Sequence, residues 1–331
     1  TMKAAVIGAG SWGTVLAQIL ADNGREVALW ARNPEKAARI RETRCNADYL
    51  PDFRLSPSIQ VTADLQEALE GAEVLVFVVP SKGMGTIARQ AARFTDCRSQ
   101  VILSCTKGFD LSTHKLMTDI LEETFPHARA IAALSGPNLA REIAQKQPAA
   151  TVIACRNMKE ARFLQQCFLT PYFRPYTSPD LIGVELCGCV KNCIALVGGM
   201  LSGMGFGENA QAGLITRGLA ELTRLGMKLG AHRATFFGLA GVGDLIATCT
   251  SPLSRNRSAG YALARGKTLE EITGGTRMVI EGINATPVVR ELARTHQVEM
   301  PIIEQLYQVL FQGKDVKRAI EDLMKRTLKK E

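Results

Sequence analysis

Apolar residues in the first half of the chain form short continuous runs, and helical spacings separate the runs. Continuous runs of this length are typical of strands that are buried on both faces of a parallel sheet. They predict strands at residues 3–7, 26–30, 59–62, 73–79, 100–105, 129–134, 151–155 and 172–176. Helical spacing predicts helices at residues 14–23, 34–44, 64–69, 83–94, 111–124, 140–144 and 158–168. This alternation predicts an α/β fold with a doubly wound, mostly parallel sheet.

The pattern changes near residue 180, after which only helical spacing remains. Helices are predicted at residues 181–201, 211–230, 269–274, 286–295, 302–312 and 316–325. The first of them is apolar on more than one face, which predicts that it is the buried centre of a second domain. We therefore expect an α/β domain at residues 1–180 and an all-helical domain at residues 181–331.

A glycine motif joins the first strand to the first helix. Gly8, Gly10 and Gly13 stand in GAGSWG and match the spacing G-x-G-x-x-G. In a dinucleotide-binding βαβ unit these glycines allow a tight turn, close approach of a pyrophosphate and close helix–strand packing. The pyrophosphate would lie at the helix N-terminus, where free N–H groups favour anions. The alternative is a glycine-rich turn that binds nothing.

The end of the second strand bears on the choice of cofactor. An acidic residue there commonly binds the ribose 2′-hydroxyl of NAD, whereas an arginine accommodates the 2′-phosphate of NADP. The chain has Ala31-Arg32-Asn33 at this point. Arg32 therefore predicts a preference for NADP(H), with NAD(H) possible; the alternative is an exposed loop arginine.

Polar residues follow three of the predicted strands, in Pro80-Ser81, Thr106-Lys107-Gly108 and Ser135-Gly136-Pro137-Asn138. Ligands of open parallel sheets bind outside the carboxyl ends of the strands. Lys107 is therefore either a cation directed into this cleft or an ordinary surface lysine.

Lys191 lies inside the most apolar predicted helix of the chain. Burial disfavours an ammonium and lowers its pKa, so that such a lysine can act as a general base. The alternative is a lysine that extends to solvent with its stem on apolar neighbours. Asn192, beside it, could orient a substrate hydroxyl.

A second glycine-rich stretch, GLAGVGD, precedes a polar segment. No predicted strand leads into it, so we do not interpret it as a second nucleotide site. Asp244 follows the glycines directly, and Arg255 could bind a phosphate with two parallel hydrogen bonds. The alternative is a set of helix-packing glycines followed by a polar loop.

The formal net charge of +8 favours anionic partners, either phosphorylated small molecules or nucleic acid. Aromatic residues make up only 6% and do not alternate with basic ones, which argues against nucleic acid. The apolar segment Ile194–Leu201 is too short to span a membrane. The sequence enters its first predicted strand at once, so we expect no secretory signal peptide. We therefore expect a cytoplasmic protein without membrane insertion.

The nine cysteines do not form a metal-binding pattern. Cys187 and Cys189 are two apart, so on a helix they point about 200° away from each other. An odd number of cysteines also argues against a complete set of disulfides. We expect free thiols and no metal site.

Taken together, the chain resembles the bacterial-type NAD(P)-dependent glycerol-3-phosphate dehydrogenases over almost its whole length. The resemblance rests on VIGAGSWGT, FVVPS, LSCTKGF, LSGPNLAREI, ELCGCVKNCIA, GLAGVGDLIATCTSPLSRNR and VIEG, in that order. It implies a Rossmann-type N-terminal domain and hydride transfer between sn-glycerol 3-phosphate and dihydroxyacetone phosphate. It also implies a homodimer that supplies glycerol 3-phosphate for phospholipid synthesis.

The resemblance also assigns roles to individual residues. Lys191 would exchange a proton with the substrate, with Asp244, Asn192 and Lys107 as further catalytic residues. The implied substrate contacts are Lys107, Gly136, Asn138, Lys191, Asp244, Ser254, Arg255 and Asn256. The implied cofactor contacts are Gly8, Gly10, Ser11, Trp12, Gly13, Arg32, Lys107, Ala140, Arg255, Val279 and Glu281.

Two other functions compete with this interpretation. A 6-phosphogluconate or other β-hydroxyacid dehydrogenase would share the cofactor domain and a helical partner domain. The SPLSRN stretch and the lack of a carboxylate-specific motif favour the triose phosphate. A non-catalytic NADP(H)-binding protein would need neither Lys107 nor Lys191.

Overall fold

The strands of the first half form one eight-stranded sheet. The computed structural model describes residues 2–275 and 279–331, and the chain divides into the units Thr1–Glu185 and Leu186–Glu331. The sheet belongs to the first unit, and its strand order is β3-β2-β1-β4-β5-β6-β7-β8. The strands are β1 Lys3–Ile7, β2 Glu26–Trp30, β3 Gln60–Thr62, β4 Val74–Phe77, β5 Val101–Ser104, β6 Ala130–Ser135, β7 Ala149–Cys155 and β8 Phe173–Ser178.

All neighbouring strands are parallel except β6 and β7, which run antiparallel. The predicted α/β class with a mostly parallel, doubly wound sheet is therefore confirmed. The helices that accompany the sheet are α1 Ser11–Asp22, α2 Pro34–Thr43, α3 Leu65–Leu69, α4 Met84–Ala91, α5 Met117–Thr124, α6 Ala140–Ala144 and α7 Met158–Phe168.

Both faces of the sheet are covered, which explains why its strands are apolar at successive positions. Along β1, Ala4 and Val6 pack into a core that includes residues of α1 and α7. Ala5 and Ile7 pack into a second core, which includes residues of α4 and α5. Alternate side chains of a strand point to opposite faces, so a strand between two helical layers needs apolar residues at every position.

One predicted helix of the first unit is wrong over its first turn and a half. The spacing predicts a helix over residues 111–124, but α5 begins only at Met117. The carboxylate of Asp110 accepts hydrogen bonds from the Ser112 hydroxyl and the Thr113 N–H, both at 2.9 Å. His114 has a left-handed backbone with φ of +62°. Side-chain hydrogen bonds to the local backbone thus replace helix at this point.

In the described part of the second unit, every regular element is a helix or a helical turn. Its elements are the greater part of α8 Leu181–Gly203, followed by α9 Glu208–Lys228, α10 Asp244–Thr250, α11 Arg255–Ala264, α12 Leu269–Gly274, α13 Glu281–Thr295, α14 Pro301–Phe311 and α15 Val316–Met324. A 3₁₀ turn at Arg233–Phe237 and a π-helical turn at Leu239–Gly243 lead into α10. Helices α10 and α11 are absent from the sequence-based prediction, and α13 begins five residues before its predicted start.

Helices α8 and α11 approach each other at the level of their backbones. A Cβ on Gly260 would lie 1.8 Å from the carbonyl oxygen of Leu196, and one on Gly199 would lie 1.9 Å from that of Arg257. No larger residue fits at either position without movement of the backbone. This contact fixes the first turn of α11 beside α8.

Helix α8 is long and apolar enough to cross a membrane when judged by length and composition alone. In the structure, 94% of its most apolar 18-residue window is buried within the protein. A core helix of a globular protein has this combination of properties.

Glu221, in the second unit, is a buried carboxyl group that accepts hydrogen bonds from a helix N-terminus. Glu221 of α9 accepts hydrogen bonds from the N–H groups of Ile302, at 2.6 Å, and Ile303, at 3.4 Å, in the first turn of α14. Burial raises the pKa of Glu221 from 4.5 to about 7, although these hydrogen bonds oppose the shift.

The raised pKa of Glu221 predicts a loss of stability on going from acid to neutral pH. The folded state then holds a proton that the unfolded state has released, so the contribution is complete below about pH 4.5 and is lost as the pH rises through about 7. We expect Glu221→Gln to flatten this part of the profile in urea unfolding at a series of pH values. Glu291→Gln, at an exposed position of α13, is the control and should leave the profile unchanged.

Candidate functional site

The glycine turn between β1 and α1 is held by backbone contacts. Gly8 has φ of +125°, and a Cβ there would lie 2.1 Å from the carbonyl oxygen of Val78. A Cβ on Gly13 would lie 1.9 Å from the Gly8 carbonyl oxygen. The Gly8 N–H donates to the Trp30 carbonyl at the end of β2 (3.1 Å). Gly8 and Gly13 are therefore required by packing alone.

Gly10 has a different environment, because a Cβ there would meet no atom within 4 Å. It is the N-cap of α1, has no side-chain cap, and is followed by a first turn without acidic residues. The first N–H groups of a helix have no partner within the helix and attract anions. Open space beside these groups is what a pyrophosphate needs, so the turn fits a dinucleotide.

Ser11 and Trp12 begin α1, and both are partly exposed. The Trp12 ring packs edge-on against Phe173 of β8, with ring centroids 6.2 Å apart. The side chain of Trp12 therefore takes part in the packing of the first unit, while its N–H lies in the first turn of α1.

Two residues that the sequence analysis did not single out hold the glycine turn. The Ala9 carbonyl oxygen accepts a hydrogen bond from the Lys36 ammonium (2.7 Å) and another from the Asn46 amide (2.8 Å). Asn46 is buried and also donates to the Thr14 hydroxyl (2.9 Å), which in turn donates to the Gly10 carbonyl (2.7 Å). Neither position has a local sequence signal, because the contacts come from a helix and a loop that follow β2.

Arg32 lies two residues beyond the end of β2 and is exposed. The next residue, Asn33, is the N-cap of α2, and its side-chain oxygen accepts hydrogen bonds from the N–H groups of Glu35 and Lys36. Asn33 is thus engaged in its own helix, whereas the Arg32 guanidinium is accessible to a ligand.

The strand ends of the first unit bring Lys107 to the loop after β6. The Thr106 hydroxyl donates to the Val79 carbonyl (2.7 Å) and accepts from the Val79 N–H (3.2 Å), which links the ends of β4 and β5. Lys107, the next residue, donates from Nζ to the Gly136 carbonyl (3.2 Å). The sequence analysis predicted both Lys107 and Gly136 in the site, and the fold brings them into contact.

Asn138 holds the same loop through its side-chain N–H, which donates to the Ala150 carbonyl (2.9 Å). Its side-chain oxygen is buried and accepts no hydrogen bond from the described residues, as is also true of the hydroxyls of Ser135 and Thr151. The Asn138 oxygen is therefore an acceptor that a ligand could satisfy. Ala140 begins α6, two residues further on.

In the second unit, Lys191 and Asp244 form a buried ion pair. The Lys191 ammonium lies 2.6 Å from Oδ1 of Asp244, and both residues are less than 10% exposed. Thr248, one turn further along α10, donates to the same oxygen (3.2 Å). The π-helical turn and Gly241, whose Cβ would lie 2.3 Å from the Phe236 carbonyl oxygen, place Asp244 at the start of α10.

Asn192 and Asn256 meet the start of α13. The Asn256 side-chain oxygen accepts a hydrogen bond from the Gly282 N–H (2.8 Å). A Cβ on Gly282 would lie 2.6 Å from the Asn192 carbonyl oxygen. Both asparagines are buried, and Glu281 is the first residue of α13. A glycine at position 282 therefore joins three helices that carry predicted site residues.

Ser254 and Arg255 open helix α11. The Ser254 hydroxyl is its N-cap and accepts from the Arg257 N–H (3.2 Å). Arg255 is exposed and donates to the Val279 carbonyl (3.4 Å). The segment predicted as a possible polar loop is thus a capped helix start that carries an accessible guanidinium.

Comparison with known proteins identifies the family. The chain matches the family models described as the N-terminus and the C-terminus of NAD-dependent glycerol-3-phosphate dehydrogenase, at residues 3–161 and 180–321. The chain belongs to the NAD-dependent glycerol-3-phosphate dehydrogenase family. The predicted resemblance is therefore confirmed, and family membership favours this function over the two competing ones.

Several members of the family are similar to this chain over its full length. A glycerol-3-phosphate dehydrogenase [NAD(P)+] of Geobacter sp. (strain M21) is 47% identical over 99% of this chain and 98% of its own. The corresponding protein of Nocardia farcinica is 48% identical over 99% of both chains. The crystal structure of glycerol-3-phosphate dehydrogenase from Coxiella burnetii superimposes with a TM-score of 0.93 at 36% identity, covering 98% of this chain and 99% of that one.

The contrast between Gly10 and Gly13 predicts different effects of alanine at the two positions of this family's glycine turn. Gly13→Ala would place a Cβ against the Gly8 carbonyl and should lower the melting temperature. Gly10→Ala has free space and should fold normally, but it should weaken NADPH binding about tenfold or more, because the methyl group obstructs the pyrophosphate. Thermal unfolding and NADPH titration of both variants check this, and unchanged NADPH affinity in Gly10→Ala would contradict it.

Proposed function

We propose that the protein interconverts dihydroxyacetone phosphate and sn-glycerol 3-phosphate, with NAD(P)(H) as the hydride carrier. The observation that supports this most directly is the buried Lys191–Asp244 pair in a chain that matches the family in both halves. NAD(P)H, when bound, supplies the hydride that reduces C2 of the ketone. The protein must supply a proton to the C2 oxygen and hold the phosphate.

Lys191 is the proposed proton donor and acceptor. In reduction its ammonium polarises the C2 carbonyl and delivers a proton to the oxygen. In oxidation the neutral amine takes the proton from the C2 hydroxyl. General acid–base catalysis by a positioned side chain contributes about 10²- to 10⁴-fold to a rate.

Asp244 positions the Lys191 ammonium, and Thr248 in turn fixes the carboxylate through the oxygen that Lys191 contacts. Asn192 follows Lys191 on α8, and we propose that its side chain orients the C2 hydroxyl. Positioning matters here because a displacement of about 1 Å can cost about a hundredfold in rate.

The first turn of α11 is the proposed phosphate site. Arg255 offers a guanidinium suited to two parallel hydrogen bonds with a phosphate. The Ser254 hydroxyl accepts one hydrogen bond as an N-cap and keeps its own proton to donate. Asn256, which is tied to Gly282, would orient the rest of the substrate.

In the first unit, we propose that Lys107, Gly136 and Asn138 contact the substrate. Lys107 would also contact the cofactor, as would Ala140. The unsatisfied side-chain oxygen of Asn138 supports its part in this set. The proposed cofactor contacts of the second unit are Arg255, Val279 and Glu281. The first two are joined by the hydrogen bond from the Arg255 guanidinium to the Val279 carbonyl.

The preference for NADP(H) over NAD(H) is part of the proposal. Arg32 is accessible just beyond the end of β2, where an acidic residue would favour NAD. The proposed pyrophosphate site at the start of α1 has open space beside Gly10. We further propose a cytoplasmic homodimer that supplies glycerol 3-phosphate for phospholipid synthesis. The chain has nine cysteines, and an odd number argues against a complete set of disulfides, which suits a reducing compartment.

Steady-state kinetics test the reaction and the role of Lys191. Oxidation of NADPH should be rapid with dihydroxyacetone phosphate. It should be negligible with a panel of oxo acids, which are the compounds that a hydroxyacid dehydrogenase reduces. Lys191→Met should lower kcat about 10²- to 10⁴-fold while leaving NADPH affinity nearly intact. Near-normal turnover in this variant would remove Lys191 from the mechanism.

A lone Asp244 carboxylate would be a buried unpaired charge in Lys191→Met, and this can destabilise the fold. The double variant Lys191→Met, Asp244→Asn keeps the pair neutral and should show the same loss of kcat with normal thermal unfolding.

The cofactor preference has its own test. Arg32→Asp places a carboxylate where the 2′-phosphate would lie, so it should shift the ratio of kcat/KM for NADPH over NADH by about ten- to a hundredfold toward NADH. The substitution Arg93→Asp, in the loop after α4, makes the same change of charge and should leave the ratio unaltered. An unchanged ratio in Arg32→Asp would show that another residue discriminates between the cofactors.

A further inference from the structure

Lys36 is a half-buried cation that contacts the glycine turn. It lies in the first turn of α2, and its Nζ donates to the Ala9 carbonyl at 2.7 Å. The ammonium also lies 4.4 Å from the centre of the Tyr49 ring, a distance at which the face of an aromatic ring attracts a cation. Ala9 separates Gly8 from Gly10, so this lysine touches the turn that the dinucleotide phosphates approach.

The charge of Lys36 is only weakly compensated. Loss of solvation lowers the pKa of Lys36, and the negative charge of Asp48 opposes this as a smaller effect. Asp48 itself pairs with Arg39, at 3.7 Å. Among the residues that the structure describes, no carboxylate oxygen lies within ion-pair distance of the Lys36 ammonium. A partly desolvated cation without an ion pair is stabilised when an anion binds beside it.

The first turn of α2 has N–H groups that already have partners, so an anion near this end of the helix would be bound by side chains. The N–H groups of Glu35 and Lys36 are both bonded to the Asn33 side chain. Arg32 precedes this cap, and Lys36 follows it by one helical turn. The segment that follows β2 is where a Rossmann-type fold binds the 2′-substituent of the adenosine ribose.

We propose that Lys36 acts with Arg32 to bind the 2′-phosphate of NADP(H), and is therefore a second determinant of cofactor choice. The proposal rests on the NADP(H) preference proposed above. Lys36 then has two partners in turn, the Ala9 carbonyl without ligand and the phosphate with it. A purely structural role, in which Lys36 only braces the glycine turn, would affect all adenine nucleotides alike.

Binding of adenosine 2′,5′-bisphosphate and adenosine 5′-monophosphate separates these roles, because the two ligands differ by one phosphate. Calorimetric titrations would compare the wild-type protein with Lys36→Met and Lys36→Arg. We expect Lys36→Met to weaken the bisphosphate about ten- to a hundredfold and to change the monophosphate less than about threefold. Lys36→Arg keeps the charge and should retain most of the discrimination.

Lys159→Met is the matched control. Lys159 also lies early in an Asn-capped helix, α7, but is exposed and follows the antiparallel strand β7. It should bind both ligands as the wild type does. Thermal unfolding shows whether each variant is folded. If Lys36→Met does not fold, Lys36→Arg provides the test. Loss of the preference for the bisphosphate over the monophosphate in Lys36→Arg, which keeps the positive charge, would contradict the proposal.

Equal weakening of both ligands by Lys36→Met would overturn the proposal in favour of a bracing role, and unchanged binding of both would overturn it outright. Neither result bears on turnover of dihydroxyacetone phosphate. A wild-type protein that binds both ligands equally well would instead contradict the NADP(H) preference itself, and the role of Lys36 would fail with it.

Discussion

Direct contact between backbones, which only glycine allows, positions most of the candidate functional groups. Gly8 and Gly13 close the turn in front of α1, and Gly199 and Gly260 bring α11 against α8. A methyl group at any of these positions would lie within about 2 Å of a carbonyl oxygen, well inside van der Waals contact. The first turns of α1 and α11, which carry the proposed anion sites, are therefore fixed first by backbone contacts, to which the side chains of Asn46 and Ser254 add hydrogen bonds.

The ion pair of Lys191 and Asp244 adds an electrostatic constraint to this framework. Removing both charges from water is costly. The pair is tolerated because the ammonium lies only 2.6 Å from the carboxylate oxygen and Thr248 donates a further hydrogen bond to that oxygen. Such a pair adds little to stability compared with apolar residues of similar size. Its presence in a core helix agrees with the proposed role of Lys191, which needs an ammonium of fixed position for proton transfer.

The sequence predicted most of the first unit because burial on both faces leaves a simple signal. Strands such as β4 are apolar at every position, and the glycine motif marks the start of α1. The prediction was wrong at residues 111–116, where the side chain of Asp110 bonds to the local backbone and competes with helix. Periodicity contains no information about such a bond.

The candidate site was predictable only as far as its residues stand in motifs. Thr248 was missed because α10 was not predicted as a helix, although the spacing of four residues from Asp244 would have placed both on one face. Lys36 and Asn46 were missed for a different reason, since they reach the Ala9 carbonyl from 27 and 37 residues further along the chain. Only the folded chain shows that a helix and a loop both donate to the Ala9 carbonyl oxygen of the glycine turn.

The two tryptophans of the chain both lie beside the glycine turn. Trp12 begins α1 with its ring against Phe173, and Trp30 ends β2, where its carbonyl accepts from Gly8. Since the chain has two tryptophans in all, its intrinsic indole emission arises entirely from the first unit. This emission reports on the surroundings of the glycine turn between β1 and α1, and it does not report local unfolding around Lys191.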